Sequence, residues 1–224
     1  VSNPEKAKAL QRFFKTGKGE YGEGDVFLGI PVPLQRKIAK KYADLNLNEI
    51  EELLKSKIHE ERLVGLIILT EKYKKSKKDN LKKRQIFEFY LKNTDNINNW
   101  DLVDLSAPYI VGDFLKREDT GILRELAKSN NMWERRIAII STSAFIRERK
   151  FGETLSIAEM LLNDEHDLIH KAVGWMLREV GKKNPNVLEI FLQPRYKNLP
   201  RTMLRYSIEK FPEEKRKKYL KGEI

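Results

Sequence analysis

Four short segments recur along the chain at nearly equal steps, and this period limits the possible folds more than any other feature. The segments begin at Arg62, Asn99, Arg135 and Lys171, at steps of 37, 36 and 36 residues, and each opens or crosses an apolar helical stretch. No alternation typical of β-strands lies between them. A fixed period of this size is typical of stacked helix pairs, as in HEAT repeats. The sequence therefore predicts an all-α fold, an α-α superhelix (solenoid) of HEAT-like repeats.

The intervening stretches also place apolar residues at helical spacing. Further helices are predicted over 3–15, 33–42, 47–55, 60–75, 81–92, 133–146 and 166–183. A glycine-rich stretch at 17–24 contains the pattern G-x-G-x-x-G. A dinucleotide site needs a strand before this pattern and a helix opening at its end, whereas here a helix precedes it. The stretch is therefore interpreted as a loop.

The chain is long enough and apolar enough to bury one continuous core. It has 224 residues, of which 40% are hydrophobic. A chain of this size buries enough surface to fold independently. Residues 1–224 are therefore predicted to form a single domain, and we expect a monomer.

The charge balance is strongly basic. Forty-four Lys and Arg residues stand against 33 Asp and Glu residues, which gives a net charge of +11. Such an excess favours a polyanionic partner, such as nucleic acid or an anionic membrane surface. The alternative is a basic surface that serves only solubility.

Composition excludes several classes of protein. The chain has no cysteine, which excludes disulfides, thiolate zinc sites and thiol catalysis and suits a reducing compartment. The longest apolar run, at 63–69, is too short to span a bilayer, and the amino end lacks the apolar core of a secretory signal. His166 and His170 are four residues apart but have no obvious third ligand, so a helix start is favoured over a metal site. We expect a cytoplasmic protein without metal or cofactor and without membrane contact.

Trp100 and Asp104 form the most informative local pattern. Their spacing places an aromatic ring and a carboxylate one turn apart on the same helix face. Asn98 or Asn99 is suited to cap this helix, and Pro108 predicts that it ends at about residue 107. In isolation, the pattern favours a half-buried tryptophan beside a solvated aspartate over a functional pair.

Two later helices carry basic residues beside their buried stripes. Lys171, Trp175, Arg178 and Lys182 fall within a narrow sector of the helix predicted over 166–183. Such a strip can neutralise phosphates while the ring packs on sugar or base, although lysine stems also cover tryptophans in ordinary proteins. Arg136 lies in an apolar neighbourhood where an arginine needs a partner. A phosphate or a local carboxylate could fill that role.

Several longer motifs, in order along nearly the whole chain, resemble one known family. They are 99–104 (NWDLVD), 112–116 (GDFLK), 133–139 (WERRIAI), 171–179 (KAVGWMLRE), and 27–30 (FLGI) with Pro33. Together they resemble the AlkD family of HEAT-like-repeat alkylpurine DNA glycosylases, which are DNA alkylation repair enzymes. One departure is that some relatives have Trp-Trp where this chain has Asn99-Trp100.

The resemblance implies a fold and a reaction. It implies a C-shaped solenoid that holds double-stranded DNA in a basic concave groove and hydrolyses the N-glycosidic bond of cationic alkylated purines, of the 3-methyladenine and 7-methylguanine type, in base-excision repair. It implies that Asp104, Trp100 and Trp175 are catalytic and that Arg136 binds the DNA backbone. Lys171, Arg178 and Lys182 are predicted to bind DNA with it. No metal or cofactor is implied.

A binding protein without catalytic activity is the competing hypothesis. A HEAT-repeat module could bind nucleic acid or a protein partner through the same basic concave face, and composition cannot separate the two. Asp104 does separate them, because a carboxylate in a phosphate-binding groove repels DNA whereas a glycosylase needs it. The sequence therefore favours the monofunctional glycosylase.

Overall fold

A computed structural model describes residues 2–224, and helices dominate this range. The α-helices are α1 Pro4–Phe13, α2 Val32–Lys41, α3 Leu47–Leu54, α4 His59–Lys75, α5 Asn80–Lys92, α6 Trp100–Leu115, α7 Gly121–Ala127, α8 Met132–Ser141, α9 Ser143–Arg147, α10 Gly152–Met160, α11 Asp167–Lys183, α12 Pro185–Leu192, α13 Arg201–Ser207 and α14 Glu213–Lys221. Within residues 2–224 no strand forms, and an isolated backbone bridge joins Val26 to Ile58. The predicted all-α, helical-repeat fold class is confirmed.

The chain divides into two compact units, one ending at Ile110 and the other covering Val111–Ile224. In the first unit, α4 packs against α2, α3 and α5. In the second unit, α11 packs against α8, α10, α12 and α13. The recurring segments identified in the sequence fall in or beside α4, α6, α8 and α11, so the period recurs at the start of, or within, four separate helices. The assignment of residues 1–224 to one domain stays a prediction, as do the monomeric state, the C shape and the concave groove.

Asparagine side chains begin several of these helices. Asn46 accepts a hydrogen bond from the Glu49 N–H, and the Glu49 carboxylate accepts one from the Asn46 N–H. The Asn3 and Asn184 side chains cap α1 and α12 by accepting from the N–H groups of Lys6 and Val187, and each is followed by a proline in the first turn. These caps satisfy backbone N–H groups that have no partner inside the helix. For α1 and α3, they explain why the predicted starts at residues 3 and 47 lie close to the observed ones.

Helix α6 is longer than the sequence predicts. It was expected to end at about residue 107, but it continues through Pro108 to Leu115. A proline inside a helix removes one backbone hydrogen bond and costs about 3 kcal/mol. Ile110 and Val111, in the turn after Pro108, are 0% exposed, and Leu115 is 2% exposed. Burying side chains of this size stabilises the helix by more than the proline destabilises it.

One buried carboxylate holds the loop between α1 and α2. Glu60 accepts hydrogen bonds from the N–H groups of Leu28, Gly29 and Ile30, at 3.0, 2.8 and 3.2 Å. Gly29 has a φ of +78°, and a Cβ there would lie 2.3 Å from the Asn3 carbonyl oxygen. Only glycine fits this position. The motif at 27–30 therefore joins α1 to α4.

None of the helices in the described range combines the length and apolar composition needed to cross a membrane.

Candidate active-site cleft

Trp100 and Asp104 line the same open cleft in the first unit. The cleft has a volume of about 370 Å³. Both side chains are partly exposed. The other residues that line the cleft are Arg36, Ile67, Thr70, Glu71, Lys74, Asp101, Leu105 and Tyr109. The structure thus places the ring and the carboxylate together, as their spacing predicts.

A set of aromatic side chains holds the Trp100 ring. Phe14 stacks on Trp100 with the ring centroids 5.2 Å apart, and Phe13 meets Trp100 edge-on at 5.9 Å. Phe14 in turn stacks on Phe27 at 5.0 Å. Stacked and edge-on pairs of this kind are favourable beyond the area they bury. Trp100 is therefore fixed by α1 and by the loop that follows it.

Asn99 begins α6 and is fully buried. Its side-chain oxygen accepts a hydrogen bond from the Trp100 N–H at 2.8 Å, and its amide nitrogen donates to Asp25 at 3.3 Å. Of the two asparagines predicted to cap this helix, Asn99 makes the contact.

Four charged side chains form a buried chain behind the cleft, which we call the Arg62–Asp101 chain. Arg62 donates to Asp25 at 2.6 Å. His59 lies between two carboxylates, with Nδ1 3.1 Å from Asp25 and Nε2 2.8 Å from Asp101. Positive and negative groups alternate along the chain. It ends at Asp101, whose side chain is 18% exposed and lines the cleft.

The neighbouring charges shift the pKa values inside this chain. Burial disfavours the charged form of Asp25, but the hydrogen bond from His59 and the charge of Arg62 outweigh burial and lower its pKa. Burial also disfavours the charged form of His59, but the hydrogen bonds to Asp101 and Asp25 outweigh it and raise its pKa. Both shifts favour the ionised form of each group.

A second polar contact supports α6 from α5. The Tyr90 hydroxyl and the Ser106 hydroxyl lie 2.9 Å apart in a fully buried position. Burial raises the pKa of Tyr90, and the nearby negative charge of Asp104 raises it further. This pair therefore lies close behind the Asp104 carboxylate and remains neutral.

Carboxylates outnumber cations in the lining of the cleft. Arg36 and Lys74 face Glu71, Asp101 and Asp104. Lys74 is 2.9 Å from Glu71. Arg36 is exposed, and in the part of the chain that the structure describes it makes no hydrogen bond or ion pair through its side chain. Three carboxylates and two cations thus line the cleft of a protein whose net charge is +11.

The second unit contains the other residues predicted from the sequence. Trp175 is half-buried on α11. The three cations predicted to bind DNA along that helix each contact a carboxylate. Lys171 lies 2.6 Å from Asp167, Lys182 lies 2.8 Å from Glu179, and Arg178 pairs with Glu209. Any DNA contact through these three side chains would compete with the pairs they already form.

Arg136 is buried rather than displayed on the surface. It is 5% exposed, and one of its N–H groups donates to the Leu168 carbonyl oxygen at 2.6 Å. The sequence had left a phosphate or a carboxylate open as its partner, and this backbone carbonyl was not foreseen. The contact ties α8 to the start of α11. Binding of DNA by Arg136 stays a prediction.

The histidine pair begins a helix. His166 is the N-cap of α11, and its Nδ1 accepts a hydrogen bond from the Leu168 N–H at 3.1 Å. Among residues 2–224, no group of three or more His, Asp or Glu side chains is arranged to hold a metal ion. The helix-start interpretation is confirmed for His166, and His170 lies in the first turn of α11.

Comparison with known proteins decides the family. The family model described as DNA alkylation repair enzyme matches residues 1–211. The chain belongs to this family. Membership supports a role for this protein as an enzyme in the repair of alkylated DNA. No curated protein matches the chain.

Solved structures with the same fold belong to similar proteins. A protein described as a predicted DNA alkylation repair enzyme from Enterococcus faecalis is 19% identical, with a TM-score of 0.72, and the match covers 95% of this chain and 97% of that one. AlkD2 from Streptococcus mutans is 18% identical, with a TM-score of 0.58, covering 94% and 99%. The smu.31 protein from Streptococcus mutans UA159 is 18% identical, with a TM-score of 0.58, covering 92% and 98%. At these sequence identities, the similarity to the solved structures shows that this protein shares their fold.

Four groups at or behind the cleft were missed by sequence reasoning. The sequence patterns did not single out Arg36 or Asp101 as candidate site residues. Asp25 and His59 gave no signal, because their contacts join positions 34 and 42 residues apart.

Proposed function

We propose that this DNA alkylation repair protein is a DNA glycosylase that hydrolyses the N-glycosidic bond of cationic alkylated purines in duplex DNA. The products are the free purine and an abasic site. The observation that carries the proposal is the presence of Trp100 and Asp104 in one cleft whose lining holds more carboxylates than cations.

A cationic leaving group explains why one carboxylate is sufficient. Glycosidases usually need an acid to protonate the leaving group and a carboxylate to stabilise the oxocarbenium-like state. A purine alkylated at N3 or N7 is already positive. When the bond between C1′ and the base nitrogen breaks, its electron pair leaves with the purine and neutralises it. Water then adds to C1′ and releases one proton, so no protein acid is required.

Asp104 and Trp100 have complementary roles in this proposal. The Asp104 carboxylate stabilises the positive charge that develops on the sugar and orients the attacking water. The face of Trp100 packs against the sugar and attracts the same charge through its π-system. The aromatic contacts from Phe13 and Phe14 keep the ring in place before substrate binds.

The carboxylates of the cleft also distinguish the lesion from normal DNA in this proposal. A normal purine is neutral, whereas the alkylated purine carries a positive charge that the carboxylates at the cleft attract. The net charge of +11 attracts the DNA backbone as a whole. The chain therefore attracts the backbone over long range and selects a cation locally.

Arg36 is proposed to contact a phosphate beside the cleft. Arg36→Glu is expected to weaken binding of undamaged duplex about tenfold or more and to reduce the salt dependence, because a phosphate contact releases counterions. Lys37→Glu is the matched control, since it makes the same charge change on a neighbouring exposed residue that does not line the cleft. It should weaken binding less than about threefold. Binding is measured by fluorescence anisotropy over a series of salt concentrations.

Equal losses in the two variants would contradict the contact. They would show that only net charge matters. An affinity of the parent protein that stayed constant between low and moderate salt would contradict binding of the backbone altogether.

The proposed reaction is tested with duplex DNA that carries 7-methylguanine. The protein should release the free base and leave sites that are cleaved by mild alkali, without added metal or nucleotide. Heat-denatured protein gives the rate of spontaneous loss. Binding of the duplex without any release above that rate would replace the glycosylase by the non-catalytic binding module.

The proposal keeps the roles predicted from the sequence for five residues of the second unit, which are Trp175, Arg136, Lys171, Arg178 and Lys182. Trp175 would act with the catalytic groups, and the four cations would contact DNA. Because each of these cations already has a protein partner, we expect smaller losses of affinity from their replacement than from that of Arg36.

A further inference from the structure

The Arg62–Asp101 chain connects the core of the first unit to the cleft, and the proposed reaction does not use it. His59 occupies its centre and is 2% exposed. The charged groups that face His59 are Asp25 from the loop after α1, Asp101 from α6 and Arg62 from its own helix, α4. The rings of Phe14 and Phe27 also lie beside the imidazole, at centroid distances of 5.1 and 4.5 Å.

The geometry around the imidazole requires two donors. Nδ1 and Nε2 each lie within hydrogen-bond distance of a carboxylate oxygen. A neutral imidazole has one N–H and one lone pair, so one nitrogen would direct its lone pair at a carboxylate. In the imidazolium form both nitrogens donate. The protonated form of His59 therefore satisfies every contact at this position.

Asp101 connects the His59 cation to the helical turn that carries Trp100. It lies in the first turn of α6, between Trp100 and Asp104 in sequence. One of its carboxylate oxygens accepts from His59, and the other accepts from the Leu102 N–H at 2.9 Å. Without the charge on His59, Asp101 would be an uncompensated carboxylate in the same cleft as Asp104. Loss of that charge would therefore add repulsion between Asp101 and Asp104.

We propose that His59 is a positioning residue: as an imidazolium it holds Asp101, and with it the first turn of α6, so that Trp100 and Asp104 keep their places in the cleft. This inference rests on the proposed glycosylase function for its kinetic consequences. Its structural content concerns the protonation of His59 and the placement of Trp100.

A pH dependence follows from this role. The pKa of His59 is raised, so the imidazolium persists above the ordinary range of histidine and is lost as the pH rises through the raised value. The single-turnover rate of base release, corrected for spontaneous loss at each pH, should fall over the same interval. His59→Gln should lower the rate about tenfold at neutral pH, whereas affinity for undamaged duplex should change less than about threefold.

His59→Arg is the rescue variant, because it keeps a positive charge at every accessible pH. It should retain more activity than His59→Gln and should lose the fall in rate at high pH. A purely structural role for His59 would lower the melting temperature and the rate together and would leave the shape of the pH profile unchanged.

Direct titration tests the inference without relying on activity. The chain has three histidines, so a variant with His166→Asn and His170→Gln leaves His59 as the only imidazole observed by NMR. Asparagine is chosen at His166 because it also caps helices. His59 should titrate above the ordinary histidine value, and Asp101→Asn should lower its pKa. The Trp100 indole signal should shift with the same midpoint as His59.

Failure of the proposed glycosylase function and failure of the positioning role of His59 give different experimental results. If the parent protein releases no alkylated purine, the proposed function fails, and the titration still decides the positioning role. A His59 that is neutral at neutral pH, or a Trp100 signal that does not follow its titration, overturns the inference. So does an Asp101→Asn variant in which the pKa of His59 is unchanged.

Discussion

Replacing Asp104 by asparagine is expected to lower the single-turnover rate of 7-methylguanine release by about a hundredfold or more. The substitution preserves the size and shape of the side chain but removes its negative charge. If the carboxylate stabilises an oxocarbenium-like state, its charge is needed only when positive charge develops on the sugar. The loss should therefore appear in the rate at saturating protein.

Affinity for undamaged duplex should not fall in the same variant. Removing a negative charge from a surface that binds phosphates leaves the affinity unchanged or increases it. This opposite response separates a catalytic carboxylate from one that only supports the fold. Rates are measured under single-turnover conditions, and affinity is measured by anisotropy with the same duplex lacking the lesion.

Asp113→Asn is the matched control for Asp104→Asn. It makes the same change on the same helix, at a partly exposed residue whose pair with Lys116, at 3.1 Å, lies outside the cleft. Surface pairs of this kind contribute about 0–1 kcal/mol, so the rate should stay within about twofold of the parent. An unchanged helical signal and melting temperature confirm folding. If folded Asp104→Asn released the base as fast as the parent, the assignment of Asp104 would be wrong.

The sequence predicted what depends on neighbours along the chain. Trp100 and Asp104 are four residues apart, so helical geometry alone places them on one face, and both line one cleft in the structure. Lys171 and Asp167 are also four residues apart, and their ion pair follows from the same geometry. The steps of 36 and 37 residues also correspond to helices in the structure, since the recurring segments fall in or beside α4, α6, α8 and α11.

Contacts between distant positions could not be predicted. His59 meets Asp25 across 34 residues and Asp101 across 42 residues, and nothing in the local sequence marks either pair. Arg178 pairs with Glu209, which is 31 residues away. The net charge therefore counts Arg178 as a cation available to DNA, although Glu209 already neutralises it. The predicted end of α6, at about residue 107, was wrong for a related reason. Local sequence around Pro108 argues against a helix, whereas burial of Ile110 and Val111 depends on the folded core.

Replacing Asp25 by asparagine should destabilise the first unit by about 3 kcal/mol or more. Asp25 is the acceptor for Arg62, His59 and Asn99, and both Asp25 and Arg62 are nearly fully buried. Removing one partner of a buried ion pair leaves the other charge without compensation, which typically costs about 3–5 kcal/mol. For a chain of this length the loss corresponds to a melting temperature lower by about 6 °C or more.

Asp44→Asn provides the control for the stability change. Asp44 is an exposed aspartate that follows α2, so the same substitution there should change stability by less than about 0.5 kcal/mol. Unfolding in urea, followed by helical circular dichroism, gives the free energy of unfolding for both variants. A melting temperature of Asp25→Asn equal to that of the parent would show that the Arg62–Asp101 chain contributes little net stability.

The dependence on pH identifies the charge of Asp25 as the cause. Its pKa is lowered because the hydrogen bond from His59 and the charge of Arg62 outweigh the effect of burial. A group whose pKa is lowered by folding contributes stability above the pKa of the unfolded chain and loses it as the pH falls through the folded value. The difference between the parent and Asp25→Asn should therefore be full at neutral pH and shrink on acidification. A difference that stayed constant down to pH values below the folded pKa would assign the loss to packing instead of charge.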